Sequence, residues 1–333
     1  MRALRKVLTA ALVLSLRLPV WGDAERGAPD YSEMMASNLM LPGLGFRLLG
    51  NEVKARKHYA ALPISLGGAG LVMAGVLRSS GAVHLDAQFR DGETYLLSYD
   101  EELDPWSQVM MYSGVVLGLY GNLLAVYSSY GVHRDYVDRY GDPFHRESVK
   151  SGRPELRDVI TAPFRTANVF APDVLPILAL STVAGFSLDD YRMMGEYFSR
   201  DSVPFMGFTV SPEAGLALRV ASSMLFVAAN AAWEEIAYRG LSLETNGTVY
   251  SSVSFGLAHL PNMLVPGVSV ENTLLQTLFA TAFGFYTADR VVASGYDFSH
   301  MVALHFWHNA LSLILGYLAD PDEDQGFSIW FRL

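Results

Sequence analysis

Three short stretches place ionisable and amide side chains where the chain is otherwise apolar. Trp233-Glu234-Glu235-Ile236-Ala237-Tyr238-Arg239 closes one apolar run. Phe255-Gly256-Leu257-Ala258-His259 lies in a second, and His305-Phe306-Trp307-His308-Asn309 in a third. An ionisable group near the centre of a bilayer costs roughly 2.5–3.5 kcal/mol on insertion scales, so a residue kept there asks for a function. Neighbouring glutamates on a helix point about 100° apart, so Glu234 and Glu235 cannot share one role. Glu235 and Arg239 stand four apart, in the order that favours an ion pair. Glu234 is left facing whatever the helices enclose. Phe255 and His259 share a helix face, as do His305 and Asn309. His308 projects elsewhere and is expected to pack against or bond to a neighbouring helix. Each set alone has an ordinary explanation: carboxylates at a helix end, a packed histidine, or hydrogen bonds between helices.

Together the residue types suit hydrolysis by an activated water. That chemistry needs a base, a group that orients the water, and preorganised donors for the developing oxyanion. A carboxylate, two imidazoles and an amide supply all three without a serine, threonine or cysteine nucleophile. The chain has no cysteine, which excludes disulfides, thiolate metal sites and a cysteine nucleophile. Further polar residues, Asn230, Asn262, Glu271, Asn272 and Gln276, lie at or near the ends of apolar runs. They read as hydrogen bonds between helices and receive no catalytic role here.

The order Glu-Glu-x-x-x-Arg, Phe-x-x-x-His, His-x-x-x-Asn on three membrane helices resembles the signature of the CAAX-protease and bacteriocin-processing family of intramembrane endopeptidases. The resemblance covers roughly residues 205 to 319, and all three motifs match without a substitution. It implies that Glu234 is the general base that activates a water and that His259 helps to hold that water. It implies that His305 and Asn309 stabilise the oxyanion. It makes Glu235 and Arg239 a structural pair that positions Glu234, and Phe255 a packing residue behind the site. The implied substrate is a membrane-associated peptide or a lipid-modified protein.

Metal dependence stays open. Glu234, His259 and His305 match the two-histidine, one-carboxylate set of a catalytic zinc site. His-x-x-x-Asn, however, is not the His-Glu-x-x-His pattern of zinc proteases. Metal-free hydrolysis is favoured, because Asn309 suits an oxyanion hole better than a zinc shell. Two other functions compete with the peptidase. One is a non-catalytic scaffold or immunity protein of the same fold. The other is a proton-coupled transporter using Glu234, His259 and His305 as a relay. The lack of an internal repeat counts against the transporter.

The elements that must position these residues are membrane helices. Of 333 residues, 51% are hydrophobic and 17% charged, well below the charged share of about 25% in soluble domains. Apolar runs of about 17 to 25 residues have the length a crossing helix needs. Seven spans are predicted, at 60–77, 107–130, 168–186, 213–233, 249–265, 270–288 and 300–319. The expected fold is therefore an all-α, polytopic helical bundle with its candidate site on three C-terminal helices. Gly114 and Gly118, with Gly67, Gly68, Gly70 and Gly75 in the span before, have the small-residue spacing that lets helices approach closely.

The organisation reads as four parts. Residues 1–24 form a signal peptide or N-terminal anchor: a basic start, an apolar stretch and small residues near Gly22. Residues 25–204 hold three spans, polar loops and a short apolar segment at 34–49, expected to lie in the interface or re-enter. Residues 205–320 form the peptidase-like core, and 321–333 a tail. A formal net charge of −10 argues against a nucleic-acid partner. Arg134, Arg139, Arg146, Lys150, Arg153, Arg157 and Arg165 crowd the loop after the second span, and Arg239 follows the fourth. The positive-inside rule puts both on the cytoplasmic side of a bilayer, expected to be a bacterial inner membrane, with the site facing that way.

Overall fold

The computed structural model describes residues 28–79, 104–144, 154–264 and 268–322, with four short strands between residues 83 and 99. The expected signal peptide or anchor and nearly all of the tail lie outside these residues. The described chain is mostly helical. Four helical stretches are long and apolar enough to cross a membrane: Glu52–Arg78, Pro105–Tyr140, Pro212–Asn246 and Ser299–Ala319. On that evidence the chain is an integral membrane protein.

The main helices are α1 (Tyr31–Met40), α2 (Ala61–Arg78), α3 (Pro105–Tyr140), α4 (Val174–Gly185), α5 (Pro212–Glu235), α6 (Thr248–Leu257), α7 (Val270–Ala293) and α8 (Ser299–Ala319). Their starts follow local chemistry. Asp104, Ser211 and Ser269 cap α3, α5 and α7 by accepting from backbone N–H groups of the first turn. Proline occupies the first turn of α3 and α5, where a missing N–H costs nothing. α2 packs along α3, α6 along α7, and α5 against both α3 and α8.

Three predicted spans take a different form. The run 168–186 is not one helix: a short turn at Thr166–Val169 is followed by α4, which begins only after Pro172 and has 12 residues. The run 249–265 is not one helix either. α6 stops at Leu257, Ala258 and His259 form a turn, and Leu260–Leu264 is a 3-10 segment. Pro261 is the cause: it has no N–H, and in a continuing helix its ring would meet the carbonyl of Leu257. α7 reaches Ala293 and takes in Asp289 and Arg290, so it is long but not among the four apolar crossings.

The second span is longer than its apolar run. α3 continues to Tyr140, ten residues into what reads as a basic loop. Val132, Tyr136 and Val137 on this extension are buried, the first two packed with Met34, Phe46 and Ala55 of the N-terminal segment. That segment, 34–49, does not run straight. It breaks at Gly43, whose φ of 101° is left-handed and whose N–H donates to Asn38 Oδ1 at 2.9 Å.

The contact between α2 and α3 is made by backbone. A Cβ on Gly68 would lie 2.5 Å from Gly114 O, and one on Gly114 would lie 2.6 Å from Gly68 O. Gly70 faces open space, so not every glycine in the pattern serves the contact. The largest apolar cluster draws Leu123 and Tyr130 of α3 together with Ala232, Ile236, Phe298 and Val302. α3, from the 25–204 part of the sequence, therefore shares this core with residues of the 205–320 part.

Candidate active site

The site begins at the end of α5. Glu234 and Glu235 are the last two residues of its α-helical part, and Ile236–Ser242 continues as a π-helix. A π turn widens the helix locally and often accompanies a functional site. Nothing in the residue spacing announced it. Glu235 and Arg239 are fully buried, and Arg239 Nε lies 3.4 Å from Glu235 Oε2.

The guanidinium has two further contacts. It donates to Thr287 Oγ1 of α7, from Nε at 2.9 Å and from Nη2 at 2.6 Å. It also lies over the Phe255 ring, 4.1 Å from the centroid. Stacking a guanidinium on an aromatic face is favourable once water is gone. Phe255 thus has a contact that its motif position alone does not reveal. It seats the arginine, and its ring edge also meets His259 and His305, with centroids 5.0 and 6.0 Å apart.

Glu235 has a second partner that the sequence did not suggest. Its Oε1 accepts from His305 Nδ1 at 2.9 Å, across from α8. An ionised carboxylate only accepts, so Nδ1 carries the proton of this bond. The ring is thereby turned so that Nε2 points to Glu234, whose Oε2 is 3.7 Å away. Glu235 therefore holds both Arg239, one turn along its own helical stretch, and His305 on α8.

His259 lies in the turn that Pro261 forces, not inside a helix. Its Nδ1 is 2.9 Å from Phe255 O. A carbonyl also only accepts, so Nδ1 is again the protonated nitrogen, and in a neutral ring Nε2 is left as an acceptor. The break between α6 and the 3-10 segment exposes this face of the ring to the interior of the bundle.

Glu234, His259, His305 and Asn309 line one cavity of about 200 Å³. Glu234 and His305 are nearly buried there. Glu234 Oε2 and Asn309 Oδ1 are buried without a hydrogen-bond partner among the described residues. Such atoms carry a desolvation cost, and in native proteins they call for an explanation. Val115 and Leu119 of α3 form part of the wall, so the N-terminal region helps to enclose the site.

Other polar residues sort clearly. Asn230, Asn262 and Gln276 also line the cavity. Glu271 and Asn272 do not: Glu271 accepts from Thr94, and the Asn272 N–H is capped by Ser269. His308 turns away and bonds Ser181 of α4, with Nδ1 at 3.1 Å from Oγ. Among the described residues no three histidine, aspartate or glutamate side chains converge closely enough to hold a metal ion.

No family model, curated protein or solved structure matches the chain.

Proposed function

We propose that this chain is an intramembrane endopeptidase that hydrolyses a peptide bond in a membrane-associated or lipid-modified peptide, as the resemblance to the CAAX-protease and bacteriocin-processing family implies. One observation carries the proposal. Four side chains from three separate stretches of sequence meet in one small, largely apolar cavity, with Glu234 Oε2 and Asn309 Oδ1 making no hydrogen bond among the described residues.

The chemistry follows from the hydrogen-bonding capacity of each group. A water has two protons to donate. Glu234 and His259 Nε2 are both acceptors, so one water bridging them is held with a lone pair free to attack a carbonyl carbon. Glu234 takes the proton as the oxygen attacks, and returns it to the amide nitrogen as the tetrahedral intermediate collapses and the C–N bond breaks. The oxyanion needs donors, which the NH2 of Asn309 and a protonated His305 Nε2 supply. Glu235 holds the His305 ring for this task, and Arg239 holds Glu235. No step requires a metal. Zinc on Glu234, His259 and His305 is the alternative that a chelator decides.

In this reading the chain crosses the bilayer seven times. The four long helices are joined by α4, by α6 with its 3-10 extension, and by α7. Irregular backbone at membrane depth is tolerated where it lines a cavity, and the turn at His259 does so. The site opens toward the cytoplasmic side of a bacterial inner membrane.

The test is cleavage of a fluorogenic, lipid-modified peptide library by purified protein in detergent, with and without chelator. Glu234→Gln, His259→Ala and His305→Ala are each expected to lower the rate by about 10²- to 10⁴-fold, the usual share of acid–base catalysis, while circular dichroism stays unchanged. Full activity in any one of them would sink the mechanism. Unchanged biological activity in Glu234→Gln would favour a scaffold. Solute uptake driven by a pH gradient in proteoliposomes would favour a transporter.

A further inference from the structure

The cavity holds a polar pair for which the hydrolytic steps have no use. Asn262 stands three residues after His259 in the 3-10 segment, and Gln276 lies on α7. Both line the cavity, and Asn262 Nδ2 donates to Gln276 Oε1 at 2.9 Å. Each side-chain amide has one carbonyl and one NH2 group. Joined head to tail, the pair engages one carbonyl and one NH2 group with each other. The remaining carbonyl and the remaining NH2 are left over, and this holds even if both amides are flipped together. One free acceptor and one free donor together complement the N–H and C=O of one residue in an extended peptide, which point to the same side.

The setting favours that use. The walls that share the cavity with this pair are largely apolar: Val115, Leu119, Phe226 and Leu313. A peptide segment entering such a space loses its water, and its N–H and C=O groups then need partners or cost free energy. An uncharged amide pair satisfies them without demanding any particular side chain. Asn262 also shares its short segment with His259, so the pair and the water-holding histidine keep a fixed relation.

We infer that Asn262 and Gln276 form a main-chain docking subsite, which holds the N–H and C=O of one residue near the scissile bond and makes the substrate an extended, apolar peptide read through its backbone. This rests on the endopeptidase reading and deepens it. Asn262 and Gln276 are positioning residues in this sense, since they do not touch the reacting atoms.

The experiment separates the subsite from the catalysis. Full-length Glu234→Gln protein in detergent is titrated with acetyl-Leu-Ala-Leu-Ala-Leu-amide, and with analogues in which each backbone amide in turn is an ester. Binding is read by isothermal titration calorimetry and from the change in tryptophan fluorescence, Trp233 being, among the described residues, the one of the chain's five tryptophans that lines the cavity. The parent peptide is expected to saturate, with one ester position binding about tenfold more weakly, the equivalent of one to two hydrogen bonds. Adding Gln276→Leu or Asn262→Leu is expected to weaken the parent about tenfold and to erase its advantage over that ester. The exchange Asn262→Gln with Gln276→Asn is expected to restore the advantage.

Absence of saturable binding overturns the subsite. So does an unchanged dissociation constant in the leucine variants, or a loss that falls equally on amide and ester, which marks a purely structural tie between segments. Cleavage by the unmutated protein alongside unchanged binding in the leucine variants removes the subsite alone. Ester-sensitive binding without cleavage of any bound peptide removes the endopeptidase and leaves the subsite standing.

Discussion

The α2–α3 contact and the Glu235–Arg239–His305 centre are both tightly packed, yet they are held by opposite means. At α2–α3 two backbones touch through Gly68 and Gly114, and no charge is involved. Lipid tails are as apolar as the helices, so association there depends on close packing. At the second centre two carboxylates, a guanidinium and an imidazole share an interior almost without solvent. Burying them is costly, and each is tolerable only because its neighbours are present. The first region is sensitive to volume, and the second to charge and hydrogen-bond direction.

The largest effect is expected at the charged centre. Glu235→Gln leaves Arg239 buried without its carboxylate, a loss in the range of about 3–5 kcal/mol for a broken buried pair. It also weakens the bond that orients His305, because a neutral amide oxygen replaces the carboxylate. The variant should unfold at a clearly lower temperature in detergent and lose cleavage in the fraction still folded. Wild-type stability would show that Thr287 and Phe255 alone suffice to hold the arginine.

An intermediate effect belongs to the packed region. Gly68→Leu places a Cβ 2.5 Å from Gly114 O, an overpacking that usually costs about 1–3 kcal/mol. Thermal stability should fall, while activity per folded molecule stays unchanged, because no α2 residue lines the cavity. Gly70→Leu is the control, since nothing lies near its Cβ position. Equal losses in both variants would show that helix propensity or lipid contact matters more than the α2–α3 approach.

The smallest effect sits at the membrane edge. Asp104 caps α3, and hydrogen bonds from Ser107 and Arg78 hold its carboxyl at about 2, below the usual 3.8. Its folded value is depressed, so its stabilisation is complete above pH 3.8 and is lost as pH falls through about 2. Asp104→Asn keeps a capping oxygen but removes the charge. Its small loss of thermal midpoint at pH 7 should shrink toward zero as the pH approaches 2. A difference that persists at pH 2 would assign the effect to the cap geometry instead of the charge.

Much of the site was legible in local spacing. The four-residue intervals placed Glu235 with Arg239, and His305 with Asn309, on shared faces, because helical geometry fixes which neighbours align. Pro261 was also visible, and it contains the reason that His259 stands in a turn. The reach of α3 to Tyr140 was not legible, because a basic, polar stretch becomes helical there only through burial of Val132 and Tyr136 against a segment about a hundred residues earlier.

By itself the sequence determined the apolar stretches, the helix faces and the identities of the candidate reactive groups, since all of these depend on neighbours within one or two turns. Only the tertiary structure decided that Glu235 bonds His305, that Arg239 rests on Phe255, that α3 walls the cavity, and that Asn262 meets Gln276. The two hydrogen bonds join residues 14 and 70 positions apart, α3 stands more than a hundred positions before the rest of the lining, and no local periodicity encodes which of many distant partners will be brought together.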